Sequence, residues 1–354
     1  MKLFIQIPCY NEEATLPLVV SSIPRQIPGV DEVRILIIND GSSDRTVEVA
    51  REIGVDYIVS HRGNRGLAAT FQTGLDTCLQ LGADIIVNTD GDNQYPQAEI
   101  PRLIEPILRG EADMVVADRQ TDQIGHFSGQ KKLLQRAGSW MVRRLAGAQV
   151  ADAPSGFRAF TREVAERLNV VSTYSYTLDT LIQVGRGRLK IANVPVVTNA
   201  KTRESRLMRG TVDYMANSAA TLLRVYTMYE TLKVFFLVGT VVMLVGAAFV
   251  ARWMFYYFQG EGEGKVQSLV LAASMLVIGF QVWAMGLLAN LIGSNRRLLE
   301  MLLYRVKRVE RAQVPTQAED VAESTGPVVG YSGSVLSDEL DEPLVERTEE
   351  PVVR

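Results

Sequence analysis

Two cysteines and two histidines in 354 residues leave little of the chemistry that disulfides or soft-metal sites need. Cys9 and Cys78 cannot build a disulfide framework, which excludes a small stapled secreted domain and agrees with a reducing compartment. His61 and His126 are far apart in sequence, which argues against a His-based metal site, and both read as surface or loop residues. No G-x-G-x-x-G follows the first strand-like run and no G-x-x-x-x-G-K-[ST] occurs, so the usual dinucleotide fingerprint and the P-loop are both absent. Hydrophobic content of 47% excludes collagen-like and wholly disordered chains. Met1–Pro8 is too short for a signal peptide and leads straight into a strand-like run, so none is expected.

A net charge of −3 conceals a split. Val314 to Arg354 holds ten acids and two bases, so that tail carries −8 and the rest of the chain +5. The tail (314–354) is acidic, aperiodic and rich in Pro, Gly and Ser, a composition expected to stay disordered. Mean hydropathy of +0.07 is high for a soluble enzyme. Its source is two long apolar runs, Val234–Tyr257 with only Arg252 charged, and Val266–Ile292 with no charge. At roughly 1.5 Å per residue, each exceeds the roughly 30 Å core of a bilayer. A helical hairpin spanning the membrane is expected over 234–292. Arg252, Trp253, Tyr256 and Tyr257 read as an interfacial belt.

Basic residues flank the runs. Arg203, Arg206, Arg209, Arg224 and Lys233 precede them, and Arg296, Arg297, Arg305, Lys307, Arg308 and Arg311 follow. By the positive-inside rule both flanks and both termini are expected on the cytoplasmic side of a multi-pass membrane protein. Residues 211–233 pattern as an amphipathic juxtamembrane helix, with a docking helix as the alternative, and 293–313 as a basic helix.

In residues 1–210, strand-like and helix-like runs alternate: Leu3–Pro8, Val33–Asp40, Asp56–Ser60, Asp84–Asp90 and Asp113–Asp118 are the strands, and Gly54 and Gly82 stop helices. Near-continuous apolar strands separated by helices predict an α/β domain, a mainly parallel sheet with helices on both faces. Ligands of such sheets bind beyond the C-terminal strand ends. Polar residues gather there: Pro8 to Glu13, Asp40 to Asp44, Asp90 to Gln94, and Asp118-Arg119. Asp90 and Asp92, two apart after an apolar run, are carboxylates suited to a hard cation such as Mg²⁺ or Mn²⁺. A lone D-x-D also occurs in ordinary turns.

The ordered set IPCYNEE (Ile7–Glu13), NDGSSD (Asn39–Asp44), NRG (Asn64–Gly66), DGDNQYP (Asp90–Pro96) and SGFR (Ser155–Arg158), followed by two apolar spans, resembles glycosyltransferase family 2. Within that family it resembles the polyprenyl-phosphate glycosyltransferases, over about Met1 to Arg311. The resemblance implies a GT-A-type nucleotide-sugar-binding sheet and metal-dependent, inverting transfer of one sugar from a nucleotide-diphosphate sugar, a UDP-sugar favoured, to a polyprenyl phosphate at the cytoplasmic membrane face. It implies that Pro8, Tyr10, Asn11 and Glu12 line the nucleoside pocket and that Asp40 contacts the base. Asp90 and Gly91 would face the donor, and Asp92, assisted by Asp90 and Gln94, would hold Mg²⁺ or Mn²⁺. Arg119 would steady a phosphate, Asp152 would sit near the acceptor, and Asp179 stands where the family has an acidic residue. Arg206, where the family more often has lysine, would contact phosphate at the juxtamembrane edge; Lys132, Arg136, Arg158 and Arg203 are further candidates for the acceptor phosphate. A homo-oligomer, a tetramer by resemblance, is implied, and no nucleic-acid partner.

A lipid monophosphate, with a second pKa of about 6, is already largely ionised at neutral pH. No strong general base is then required, and Asp152 is expected to orient the acceptor more than to take a proton. Two rivals stay open: a processive polysaccharide synthase and a non-catalytic membrane scaffold. Gln183 to Gly187 falls short of the Q-x-x-R-W of such synthases, lacking Trp, and reads as a helix end. Cys9 reads as packing, and the basic set Lys131, Lys132, Arg136, Arg143 and Arg144 as either a phosphate site or a solvated helix face.

Overall fold

The alternation of apolar runs and helical patterns becomes one mixed sheet with a separate helical hairpin. The structure is a computed structural model that describes residues 1–120, 144, 147, 150–170, 176–199, 230–259, 266–313 and 344–347. The amphipathic segment 211–229 and the run 121–143 lie outside these residues. In chain order the elements are β1 (Lys2–Cys9), α1 (Leu16–Ser21), β2 (Glu32–Asn39), α2 (Thr46–Glu52), β3 (Tyr57–Ser60), α3 (Leu67–Gln80), β4 (Ile85–Asn88), α4 (Ile100–Leu108) and β5 (Met114–Asp118). There follow β6 (Arg158–Thr161), α5 (Arg162–Arg167), α6 (Tyr176–Arg186) and β7 (Ile191–Pro195).

The sheet runs β7-β5-β6-β4-β1-β2-β3-β8, where β8 is Leu344–Arg347. β4, β1, β2 and β3 are mutually parallel, as are β5 and β7. This is the mostly parallel α/β sheet the apolar strands foretell. Between β4 and β5 the chain inserts β6, antiparallel to both, with Arg158 opposite Asn88. That insertion brings the Ser155–Arg158 motif to the rim where β1, β2 and β4 end. In the acidic tail, Leu344–Arg347 departs from the expected disorder: it pairs antiparallel with β3 and covers an edge that would otherwise expose backbone donors and acceptors.

Both faces of the sheet are buried. Leu3, Ile5 and Ile7 pack with Leu16 and Val19 of α1 and Ile100, Leu103, Ile104 and Ile107 of α4. Phe4, Leu36 and Ile38 pack with Phe71, Leu75 and Leu79 of α3 and with residues of α5 and α6. The period of two along β1 and the i, i+3, i+4, i+7 spacing in α4 therefore meet in one core. Each such side chain, fully buried, contributes about 1.5–3 kcal/mol. Phe71 stacks on Tyr176 at 4.2 Å and meets Phe160 edge-on at 5.9 Å, fixing α3 against α6 and β6.

The second unit, Thr211–Leu303, holds α7 (Thr231–Phe258) and all but the last part of α8 (Val266–Gln313), which pack as a hairpin. Both hold stretches long and apolar enough to cross a membrane, Thr231–Phe258 and Val266–Gly293. Their apolar side chains point outward, Leu237 at 68% exposure and Ile292 at 70%, the reverse of the sheet core. Small residues set the spacing between the helices: a Cβ on Gly239 would lie 2.4 Å from Trp283, and one on Gly279 would lie 2.4 Å from Met243. Trp283 stacks on Phe236 at 4.8 Å and donates its indole N–H to the Phe236 carbonyl at 3.1 Å. The basic helix expected over 293–313 is continuous with the apolar one before it, α8 running unbroken to Gln313. Gly293 alone weakens a helix by only about 1 kcal/mol, and no proline follows within α8.

Candidate active site

Parallel strands that all end at one edge deliver their following loops to one rim. The loops after β1 and β2 are cross-linked there. Asn11 adopts φ +57°, donates its backbone N–H to Ser42 Oγ at 3.0 Å, and accepts from the Ser43 N–H at 2.8 Å. Glu12 N–H donates to Thr46 Oγ1 at 2.8 Å, and Arg45 N–H to Glu13 at 3.0 Å. Pro8 and Glu12 are buried, whereas Tyr10 is 42% exposed and presents its ring at the rim.

Asp40, expected to contact a base, is 4% exposed and committed to the protein. It accepts from the backbone N–H of Arg65 at 2.8 Å and Gly66 at 2.9 Å, and pairs with His61 Nδ1 at 2.8 Å. Burial alone would raise its pKa; these three bonds outweigh it and hold the carboxyl below the usual range. His61 is thus no surface residue. It is 5% exposed, and its Nε2 meets Thr73 Oγ1 at 3.0 Å, tying the loop before α3 to that helix. Gly41, at φ +69°, has no substitute: a Cβ there would lie 2.6 Å from the Gly63 backbone.

The D-x-D segment lies between these loops and the start of β6. Burial, then the like charge of Asp92, raises half-buried Asp90 to about 7 against the pull of Arg119. Asp92 Oδ1 accepts from the Gln94 N–H at 3.1 Å, and Asn93 between them adopts φ +59°. Thr15 reaches across from the start of α1 to the Gly91 carbonyl at 2.7 Å. From the far side Asn199, after β7, donates its backbone N–H to the Gln94 carbonyl at 2.9 Å and its side-chain amide to the Asn93 carbonyl at 3.0 Å.

On the β5–β6 side, charges close on each other. Arg119 grips Asp152 with a two-pronged contact, Nε to Oδ2 at 2.6 Å and Nη2 to Oδ1 at 3.0 Å, and its backbone N–H adds a third bond at 3.2 Å. Although burial works against the cation, the Asp152 bond raises Arg119 overall. Asp152 is 3% exposed, and the Arg119 side chain 24%.

Arg158, expected at an acceptor phosphate, is instead fully buried. Its guanidinium donates to the carbonyls of Ser155, Ala153 and Thr177 and to Thr180 Oγ1, all at 2.6–2.7 Å. Burial pulls it down to about 10, so it stays charged at neutral pH, bracing the loop that carries Asp152. At Gly156 a Cβ would lie 2.8 Å from the Tyr176 hydroxyl and 3.0 Å from Asp90, so only glycine lets this loop pass the carboxylate. Tyr95 OH accepts from the Gly156 N–H at 3.0 Å, and Asn88 donates to the Gly156 carbonyl at 2.8 Å.

The rim therefore brings together Pro8, Tyr10, Asn11, Glu12, Asp40, Asp90, Gly91, Asp92, Gln94, Arg119 and Asp152. Asp179 is buried in the first turn of α6, the turn whose Tyr176 hydroxyl accepts from Asn88 at 3.1 Å and whose Thr177 carbonyl accepts from Arg158 at 2.7 Å. Lys132, Arg136, Arg203 and Arg206 lie outside the described residues. Gln183 bonds Asn169 through both ends of its amide, at 3.1 and 2.8 Å, the structural role expected of a helix end. Cys9 is buried, and burial pushes its thiol well up, in keeping with packing. His61, Tyr176, Asn88 and Asn199 carry no motif signal, because their roles arise only when distant segments meet; Tyr95 lies within the DGDNQYP motif, but its contact with Gly156 does not show there.

Among the described residues no three His, Cys, Asp or Glu side chains form a ready-made cage for a metal. The donor set still fits a divalent cation of the Mg²⁺ type, which needs one or two carboxylates when phosphates supply the rest. Asp90, lifted by burial and by Asp92, is an acid whose charge a cation would relieve.

The sequence profile of glycosyl transferase family 2 matches residues 4–168. A dolichyl-phosphate hexose transferase of Haloferax volcanii is 31% identical over 204 residues, covering 56% of this chain and 83% of that protein. A polyprenol monophosphomannose synthase of Mycolicibacterium smegmatis is 28% identical, covering 54% and 74%. An undecaprenyl-phosphate 4-deoxy-4-formamido-L-arabinose transferase of Pectobacterium carotovorum is 28% identical over 310 residues, covering 82% and 87%. Among solved structures, glucosyl-3-phosphoglycerate synthase of Mycobacterium tuberculosis with Mn²⁺ and UDP-glucose superimposes with a TM-score of 0.49 at 25% identity, covering 64% of this chain and 78% of that one.

Proposed function

Because the chain belongs to glycosyl transferase family 2, we propose that it moves a single sugar from a nucleotide-diphosphate sugar to a polyprenyl phosphate at the cytoplasmic face of a membrane. It is a glycosyltransferase. One observation carries the proposal: a rim that sets the Asp90/Asp92 acids beside an Arg119–Asp152 pair, in a chain that also holds two apolar helices of membrane-spanning length. Relatives named for polyprenol, dolichyl and undecaprenyl phosphate support the acceptor class.

In this reading the loops after β1, β2 and β3 hold the nucleoside, with Tyr10 as the exposed ring. Asp40 shapes that pocket through His61, Arg65 and Gly66 and does not itself meet the base. Asp92, Asp90 and Gln94 would hold Mg²⁺ or Mn²⁺, which when bound offsets the charge of the leaving diphosphate. Arg119 offers its remaining N–H groups to a phosphate while Asp152 fixes its plane. With both Asp152 oxygens held by Arg119, that carboxylate orients and is not available as a base. An ionised lipid phosphate supplies its own nucleophile. A UDP-sugar is the favoured donor, inversion the expected outcome, and a homo-oligomer the expected assembly, with both termini cytoplasmic.

The test is to incubate membranes containing the protein with polyprenyl phosphate and labelled UDP- or GDP-sugars, then extract with organic solvent. Acid-labile label in the lipid fraction, abolished by EDTA, is expected. Polymeric label, or none from any donor, would overturn the proposal.

A further inference from the structure

The D-x-D loop is held in place from outside itself. Asn93 sits at φ +59°, a region that favours glycine and that asparagine tolerates at a cost, so the turn after Asp92 needs support. Part of it is internal, the Asp92 Oδ1 bond to the Gln94 N–H at 3.1 Å. The rest comes from a residue more than a hundred positions away. Asn199 spans two consecutive carbonyls of the loop, its backbone N–H on Gln94 at 2.9 Å and its side-chain amide on Asn93 at 3.0 Å.

The segment that carries Asn199 is itself anchored. Val196 is 1% exposed and its N–H donates to the Asp118 carbonyl at 2.8 Å, while Asn193 Oδ1 accepts from the Ala151 N–H at 3.0 Å. Asp118 and Ala151 are the immediate neighbours of Arg119 and Asp152. A single stretch, 193–199, therefore stitches the strand that leads into Arg119, the loop that bears Asp152 and the loop that bears Asp92. The two carbonyls it takes up belong to the residues right after Asp92, so its effect is felt where that carboxylate is aimed.

We propose that Asn199 is a positioning residue for the metal–nucleotide half of the site: its amide fixes the 92–94 turn so that Asp92 faces the cation and diphosphate. This rests on the reading of Asp92 given above. Asn199 touches neither substrate nor metal in this account. Replacing its amide leaves the main-chain bond to Gln94, so the fold is retained while the turn loosens.

The test compares the intact protein with Asn199→Asp and Asn199→Ala. Unfolding temperature is followed as Mn²⁺ is titrated in the presence of UDP, alongside donor and acceptor KM. Both variants are expected to raise the Mn²⁺ half-saturation concentration and the donor KM about fivefold, the scale of one hydrogen bond. Acceptor KM and the metal-free unfolding temperature are expected to stay unchanged, and Asn199→Gln, which keeps an amide donor, to recover part of the loss. Unchanged Mn²⁺ half-saturation in both variants would overturn the inference. So would a fall in metal-free stability with equal damage to both KM values, which marks a merely structural residue. If the unaltered protein shows no Mn²⁺-dependent response to UDP, the metal–nucleotide reading of Asp92 fails first and the inference falls with it.

Discussion

On the side of the rim built by β1, β2 and β4, acids crowd together: Asp90 is raised by burial and by the like charges of Asp92 and Glu12. On the side built by β5 and β6, opposite charges close on one another, Arg119 clasping Asp152 and Arg158 spending its donors on carbonyls. The first side holds charge that an arriving cation and diphosphate would neutralise together. On the second side Arg119 and Asp152 satisfy each other before anything arrives, and its value lies in a fixed geometry. Substitutions on the two sides should therefore fail differently, the first in chemistry and the second in stability or acceptor binding.

The largest effect separates them most sharply. Asp92→Asn is expected to lower kcat/KM by about 10²–10³-fold while urea unfolding stays within about 1 kcal/mol of the parent, since it removes charge stabilisation and no packing. Initial rates and unfolding curves check it; equal losses in both would erase the distinction. On the other side, Arg119→Met leaves the Asp152 carboxylate buried without its partner and should reduce stability by about 3 kcal/mol. Adding Asp152→Asn in the double variant should return part of that loss, and an additive double variant would show that the pair is not coupled.

A smaller effect sharpens the role of Asp152. Asp152→Asn keeps the shape and one acceptor for Arg119, so acceptor KM is expected to rise about tenfold with kcat little changed. Abolished turnover with intact lipid binding would instead mark Asp152 as a base.

The smallest concerns pH. Asp90 lies near 7 in the folded protein against 3.8 for a free carboxyl, so the folded state holds an extra proton between those values. Its contribution to stability is full below the window and is lost as pH rises through about 7. A cation competes with that proton, so the rise in unfolding temperature on adding Mn²⁺ with UDP should be about 2–4 °C larger near pH 8 than near pH 5.5. A pH-independent rise would place Asp90 away from the cation.

The legibility of these two sides in the sequence also differs. β1 to β5 are readable because each is a short apolar run, and β2, β4 and β5 close on Asn or Asp, which sets acids at their ends. The β1–β4 side is local: Asn39–Asp44 and Asp90–Gln94 each sit within a few residues of their strand. The β5–β6 side is not local. Arg158 reads as a phosphate ligand because an arginine in a polar motif is usually solvated, and nothing in SGFR announces that Ala153, Ser155 and Thr177 will surround it. His61 lies in a loop, as expected, but buried, because its partner Asp40 follows another strand and no local pattern reveals that contact. The antiparallel entry of β6 follows a long connection whose direction no periodicity reveals. In the hairpin, length and purity foretell two apolar helices, and the basic helix expected over 293–313 joins the second of them without a break.

The central claim is that Asp92 and a divalent cation act together on the nucleotide diphosphate, and calorimetric titration of UDP into the full chain tests it directly. With Mn²⁺ present the parent protein is expected to bind UDP, and without Mn²⁺, or with Asp92→Asn, that binding is expected to weaken by at least about tenfold. Equal UDP affinity with and without the cation, or in the Asp92→Asn variant, would contradict the account.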